Sequence, residues 1–225
     1  EKDQVFEMNQ TTLCERLKRL GRVIFIGASH MRYKSDHMVI QCLEMPRAVG
    51  RKHLSMAVGN IEYIRRLYAN DFRSIPNELL QRNLTKGDVV LVQTGGYDMF
   101  NKGLQKSLAF AVPVFSQVLR EIRDLSRKRG FRIVFVTSPS YPRSDSRTAR
   151  GSRNNFALAA FNGSMKKEAI DIGVEIFDEF STFLTHEEEA VCGGHYLCRT
   201  VGDLSHVSGE LGKTAAELLL SYASS

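Results

Sequence analysis

Apolar residues gather along the chain in short continuous runs at Val23–Ile26, Leu54–Val58, Val89–Gln93, Ile133–Thr137 and Val174–Phe177. Runs of this length, rich in Val, Ile and Phe, fit strands buried on both faces rather than strands with one wet side. Between them the apolar positions move to three- and four-residue spacing, as in Leu108 to Leu125 and Phe156 to Ile172. The final segment, SGELGKTAAELLLSYA, has the same helical period and opens on Ser208. Strand-helix alternation of this kind predicts one α/β domain over 1–225, a three-layer α/β/α sandwich on a parallel sheet of about five strands, with 1–20 as an N-terminal extension packed on it. No repeat, low-complexity stretch or linker divides the chain.

In an open parallel sheet, ligands bind outside the carboxyl ends of the strands. That rule directs attention to GASH after the first run, GNIEY after the second, TGGYDMF after the third and SPSYPRSDSR after the fourth. Ser29 in GASH reads by itself as a helix N-cap. GASHMR lacks both the G-x-G-x-x-G pattern and a Walker lysine, which leaves a flavodoxin-like nucleotide site with little support. Near the other end, GDLSH places Asp203 and His206 three residues apart just before the last helix. A serine nucleophile needs a base to take its proton, and the base needs an acceptor that fixes its tautomer. Ser29, His206 and Asp203 supply the three groups.

Taken in order, these segments resemble the blocks of the SGNH/GDSL hydrolase superfamily. Gly27-Ala28-Ser29 matches the first, Gly59 the second, Gly95-Gly96-Tyr97-Asp98 the third and Asp203-Leu204-Ser205-His206 the last, so the likeness spans about residues 22 to 222. It implies the SGNH, flavodoxin-like fold and a serine esterase or O-acyltransferase acting on acyl esters, acetyl above all, of a carbohydrate. Ser29 would attack, His206 would serve as base and acid, and Asp203 would orient it. The backbone N–H groups of Ser29 and Gly59 would form the oxyanion hole, with Asn60 or the N–H of Gly96 as a further donor. Two positions depart from the family pattern. Ala28 replaces an Asp, and Tyr97 stands where an Asn amide would donate; loss of one such donor typically costs roughly 10²–10³ in rate. These departures keep open an alternative, a catalytically inactive SGNH-fold module that binds a glycan or a protein partner. His30 and Tyr97 would line the pocket, and Asp98 reads as structural. The segment CGGHYLCRTVGDLSHVSGELG also resembles extracytoplasmic SGNH domains linked to polysaccharide O-acetylation and, more distantly, PC-esterase-type domains. That likeness implies a disulfide between Cys192 and Cys198 and a second between Cys14 and Cys42. A zinc site from His186, Cys192, His195 and Cys198 is the rival use of the same residues.

Composition sharpens the setting more than the chemistry. The chain has 225 residues, 43% hydrophobic and 25% charged, with a net charge of +6. Nowhere is there a run of about 18 apolar residues that would cross a bilayer. Arg143, Arg147, Arg150 and Arg153 crowd one loop, without the interleaved aromatics of single-strand nucleic-acid binders. The loop reads either as a solvated surface or, through Arg143 and Arg147, as a basic lip for an anionic substrate, and nucleic acid is not an expected partner. Sequons at Asn9, Asn83 and Asn162, from nine asparagines in all, exceed the roughly one expected by chance. With four cysteines they point to an oxidising compartment, secreted, lumenal or at the cell surface. The first residue is Glu1 rather than Met, which fits a removed upstream segment. Nothing implies a cofactor or a metal requirement.

Overall fold

The structure is a computed structural model, and it describes residues 10–43, 56–94, 96–140, 155–185 and 209–225. Strand β1, Val23–Gly27, is buried at every position. Its Val23 and Phe25 enter one core and its Ile24 and Ile26 another, because successive side chains leave a strand on opposite faces. The same division holds in β4, Val89–Gln93, and β5, Arg132–Val136. Two-sided burial is the physical reason these runs carry no polar alternation.

The sheet is completed by β2, Met56–Val58, β3, Ile61–Arg65, and β6, Glu175–Phe177, in the order β2-β3-β1-β4-β5-β6. Five strands run parallel, and β2 pairs antiparallel with β3 at the edge. The direction of winding reverses between β1 and β4, which makes that gap the topological switch point. One face of the sheet carries α1, Gln10–Arg19, α2, Ser29–Leu43, and α9, Gly209–Ser224. The other carries α3, Ala69–Phe72, α4, Ile75–Gln81, α5, Gly96–Lys106, α6, Val112–Arg129, and α7, Asn155–Ile172, with Phe180 of α8, Glu179–Thr185, in the same core. The three-layer α/β sandwich expected from the sequence is present. A π-helical turn, Ser107–Ala111, joins α5 to α6, and Pro113 occupies the first turn of α6, where its missing N–H costs nothing. Helix α6 ends at Gly130, left-handed at φ 84°.

One expectation about the strands is overturned. The sequence pattern puts Gly59 and Asn60 in a ligand loop after the second strand, whereas they form the tight turn between β2 and β3, with Gly59 at φ 58°. The strand that runs parallel beside β1 is β3, and its carboxyl end is Arg65, in register with Gly27.

Helix α1 packs against α2 and α9, and a disulfide between Cys14 and Cys42 ties it to the far end of α2. Helix α9 runs back across the same face. Arg132, at the start of β5, donates to the carbonyl of Ala223, so the end of α9 lies at the amino edge of the sheet. Its 16 residues span about 24 Å, and it packs against α2 and α1. No helix among the described residues is long and apolar enough to cross a membrane.

Candidate functional site

The carboxyl edge of β1 is built around a glycine that has no substitute. A Cβ on Gly27 would lie 2.8 Å from the carbonyl oxygen of Gln93 and 2.9 Å from Cγ of Met31. Only a glycine lets β1 pass so close to the end of β4 and turn into α2, whose first residue is Ser29. The two carbonyls before Ser29 are both held. Gly27 O accepts the Arg66 N–H at 2.9 Å, and Ala28 O accepts the Arg32 N–H at 3.2 Å. The Tyr63 hydroxyl, on β3, reaches both oxygens, at 3.1 Å and 3.2 Å. Tyr63 is buried, and burial pushes its hydroxyl pKa up to about 12, with Arg32 and Arg65 acting in the opposite sense. Where the SGNH pattern has an Asp at position 28, this chain braces the turn from the neighbouring strand.

Helix α2 is also pinned from within. Lys34, 2% exposed, places Nζ 2.7 Å from Oε1 and 3.0 Å from Oε2 of Glu179, 0% exposed, at the start of α8. The Gln93 amide donates to Glu179 Oε2 at 2.9 Å and to Thr137 O at 3.0 Å, which joins α2, β4, β5 and α8 in one buried network. Burial pushes the Glu179 carboxyl up, and the Lys34 ammonium opposes that shift. Neither Lys34 nor Glu179 was among the residues singled out by sequence.

Across the switch point, Gly96 opens α5 and is followed by Tyr97, half-buried, with its ring edge-on to Tyr68 at 5.9 Å between centroids. Asp98 is fully buried and accepts the Ala69 N–H at 2.7 Å and Lys102 Nζ at 2.9 Å. It caps α3, the structural role expected of it.

Two sets of candidate residues are not where the sequence reading put them. Gly59 and Asn60 lie at the amino edge of the sheet, opposite Ser29. Asn60 O accepts the N–H of Val23 at 2.8 Å, and its side-chain amide donates to Leu17 O and Gly21 O at 3.1 Å and 3.0 Å. They contribute nothing to an oxyanion hole at Ser29. Asn162 is 2% exposed, its amide exchanging two hydrogen bonds with the backbone of Ser138 at 2.9 Å and 3.2 Å. A glycan cannot be carried on an amide packed in this way. Asn83, by contrast, is exposed and left-handed, at φ 48°, just beyond α4. Ser29, His30, Gly96 and Tyr97 lie on the carboxyl-edge turns that flank the switch point. Asp203, His206, Arg143, Arg147, Cys192, Cys198 and Asn9 lie outside the described residues, as does the rival zinc set.

The residues the sequence reading missed sit on β3 and in the buried network. A Gly-Asn pair between apolar runs is a hairpin signal, and it was available to reveal β3. Nothing comparable marks Lys34 or Glu179, because a charged residue on a helix reads as solvated.

No protein-family model matches the chain, and no curated protein matches it in sequence. Solved structures do match. An acetyl xylan esterase, AlAXEase, superposes with a TM-score of 0.59 at 14% identity, over 89% of this chain and 98% of that one. A candidate SGNH hydrolase from Slackia heliotrinireducens gives 0.58 at 13% identity, over 90% and 98%. A lipolytic protein of the G-D-S-L family from Veillonella parvula gives 0.55 at 11%, over 90% and 94%. The fold of this chain is therefore that of the SGNH hydrolases.

Proposed function

We propose that the chain is a serine esterase or O-acyltransferase that acts on acetyl esters of a carbohydrate, with Ser29 as the nucleophile. The observation that carries this reading is the position of Ser29. It is the first residue of α2, on a braced glycine turn at the switch point of an SGNH-type sheet. The Ser29 hydroxyl adds to the ester carbonyl and passes its proton to His206, while Asp203 holds the imidazole. The tetrahedral adduct collapses as His206 returns the proton to the departing sugar hydroxyl. The acetyl-serine is then cleared by water, giving acetate, or by a second hydroxyl, giving a transferred ester. Two features support the roles of Asp203 and His206. Their segment leads directly into α9, and α9 packs against α2, the helix that Ser29 opens.

The oxyanion is left to main-chain donors near Ser29 and Gly96, since the first N–H groups of a helix have no intrahelical acceptor. The choice of acetyl-carbohydrate rests on the likeness to AlAXEase, an acetyl xylan esterase. We place the protein in the secretory pathway or at the cell surface, a reading supported by the Cys14–Cys42 bond and the exposed sequon at Asn83. A fluorophosphonate probe tests the central claim. Covalent labelling in the wild type that disappears in Ser29→Ala, together with loss of 4-nitrophenyl acetate turnover, is the expected result. Undiminished turnover in Ser29→Ala refutes it.

The second reading, an inactive glycan- or protein-binding module, draws on the placement of Gly59 and Asn60 at the far edge and on Tyr97 in the donor position. It requires that Ser29 resist the probe.

A further inference from the structure

Arg65 ends β3 in register with Gly27, two residues from Ser29. It shares its face of the sheet with Tyr63, whose hydroxyl touches the carbonyls of Gly27 and Ala28. Arg32 stands three residues beyond Ser29, in the first turn of α2. The charges of both arginines act on the Tyr63 hydroxyl, and their backbone positions flank the turn before Ser29.

Their pairing differs from that of the next cation. Arg66 is committed to Glu78 and to Ser74. Arg65 is half-buried and has neither a carboxylate nor a hydrogen-bond acceptor for its guanidinium among the described residues. Arg32 has one ion-pair partner, Asp36, at 3.8 Å from Nε, too long for a hydrogen bond, and that Nε is buried without an acceptor. Asp36 is the carboxylate paired with Arg32 among the described residues, and burial pushes its own carboxyl up. A buried N–H without an acceptor is unfavourable, and a bound anion removes that cost. Among the described residues, two arginines against one half-buried carboxylate, at the turn that carries Ser29, make a site for negative charge.

We infer that Arg65, assisted by Arg32, binds a carboxylate on the carbohydrate part of the substrate, so that the enzyme prefers acetyl esters of acidic sugars. This rests on the reading of Ser29 as the nucleophile. An acetyl group carries no charge, so the carboxylate must belong to the sugar. The planar fork of a guanidinium matches a carboxylate in two parallel hydrogen bonds, and Arg65, with no partner for its guanidinium among the described residues, has both donors to give.

The test compares two ligands that differ by one group, mono-acetylated methyl glucuronoside and mono-acetylated methyl glucoside. Calorimetry on Ser29→Ala, which cannot turn either over, reads binding alone. The expected result is a preference of roughly tenfold or more for the glucuronoside, the size of one charge-assisted hydrogen bond. Adding Arg65→Gln brings the ratio close to one, Arg65→Lys retains part of it, and Arg32→Gln reduces it. Lys128→Gln removes the same net charge from an exposed position at the end of α6 and leaves the ratio as it was. Equal affinities in Ser29→Ala, or a preference that survives Arg65→Gln, overturns the inference. Fluorophosphonate labelling of the wild type separates the two claims. A glucuronoside preference without labelling of Ser29 refutes the esterase reading and leaves the anion subsite standing, whereas labelling without a preference refutes the subsite alone.

Discussion

Replacing Tyr63 by Phe removes one hydroxyl and nothing else, which makes its effect calculable. The two carbonyls that the hydroxyl reaches do not become orphans, since Gly27 O keeps the Arg66 N–H and Ala28 O keeps the Arg32 N–H. The loss is therefore a net hydrogen bond, about 1 kcal/mol at pH 8, and not the larger penalty of a stranded buried acceptor. Alkaline pH reverses the comparison. In the unfolded chain a tyrosine ionises near its usual value of 10.0, whereas in the fold burial pushes Tyr63 up to about 12. The folded state thus holds this proton more tightly. Stability from this group is complete below pH 10 and is lost as pH rises through the two values. At pH 11 the wild type has lost about 1.4 kcal/mol through this one group, one pKa unit's worth. Tyr63→Phe has no such proton to lose, and every other titrating group is shared. The variant should be about 1 kcal/mol less stable than the wild type at pH 8 and equal to it or slightly more stable at pH 11. Urea unfolding at the two pH values, with matching m-values, measures both gaps. A gap that stays the same from pH 8 to pH 11, or one above about 3 kcal/mol at pH 8, refutes the geometry assigned to Tyr63.

Breaking the Lys34–Glu179 pair from either side should cost about 3–5 kcal/mol, because each single change strands a buried charge. Lys34→Met combined with Glu179→Met should cost clearly less than the two singles added, and a urea-unfolding cycle checks this; strict additivity would mean the ions do not meet. Opening the Cys14–Cys42 bond by Cys→Ser at both positions frees a loop of 28-residue separation. The loop-entropy model gives a loss of about 3.5 kcal/mol, read as a lower melting temperature in scanning calorimetry.

What the sequence made legible follows from burial. β1, β4 and β5 stand out because both faces are dry and no polar residue interrupts them. β3 stayed hidden because Glu62 and Arg65 break the run. Glu62 is present because it pairs with Arg82, and Arg65 because it stands at the open edge of the sheet. With β3 unseen, Gly59 was assigned to the wrong end of the sheet and took Asn60 with it. Asn162 shows a signal that was available and outweighed. It lies four residues after Leu158 and three before Met165, on the apolar stripe of α7, where an asparagine is held by the core. The sequon pattern reads three letters and takes no account of the face they occupy. The role proposed for Ser29 draws on residues far along the chain, since its own surroundings read as an ordinary helix start.

A helix start needs little support. A serine N-cap contributes about 1 kcal/mol and asks for no fixed neighbours. The turn before Ser29 is held by far more than that. A glycine is required by the approach to Gln93, a buried tyrosine hydroxyl spans two carbonyls, and an ion pair buried at both ends locks α2 to β4 and α8. The ion pair is weak grounds for stability, since well-packed apolar residues commonly do as well in its place. What such a pair fixes is position: Lys34 holds the early turns of α2, while the glycine and the Tyr63 hydroxyl hold Gly27 and Ala28 just before it. Alignment to a fraction of an ångström matters little to a cap. It matters a great deal to a nucleophile, where a displacement of about 1 Å can cost roughly a hundredfold in rate. The constraint concentrated beside Ser29 is what the proposed nucleophile requires. It also predicts an order of effects: substitutions at Tyr63 or Lys34 should slow fluorophosphonate labelling of Ser29 under conditions where the protein is still fully folded. Labelling at the wild-type rate in both variants would mean that the bracing serves the fold alone.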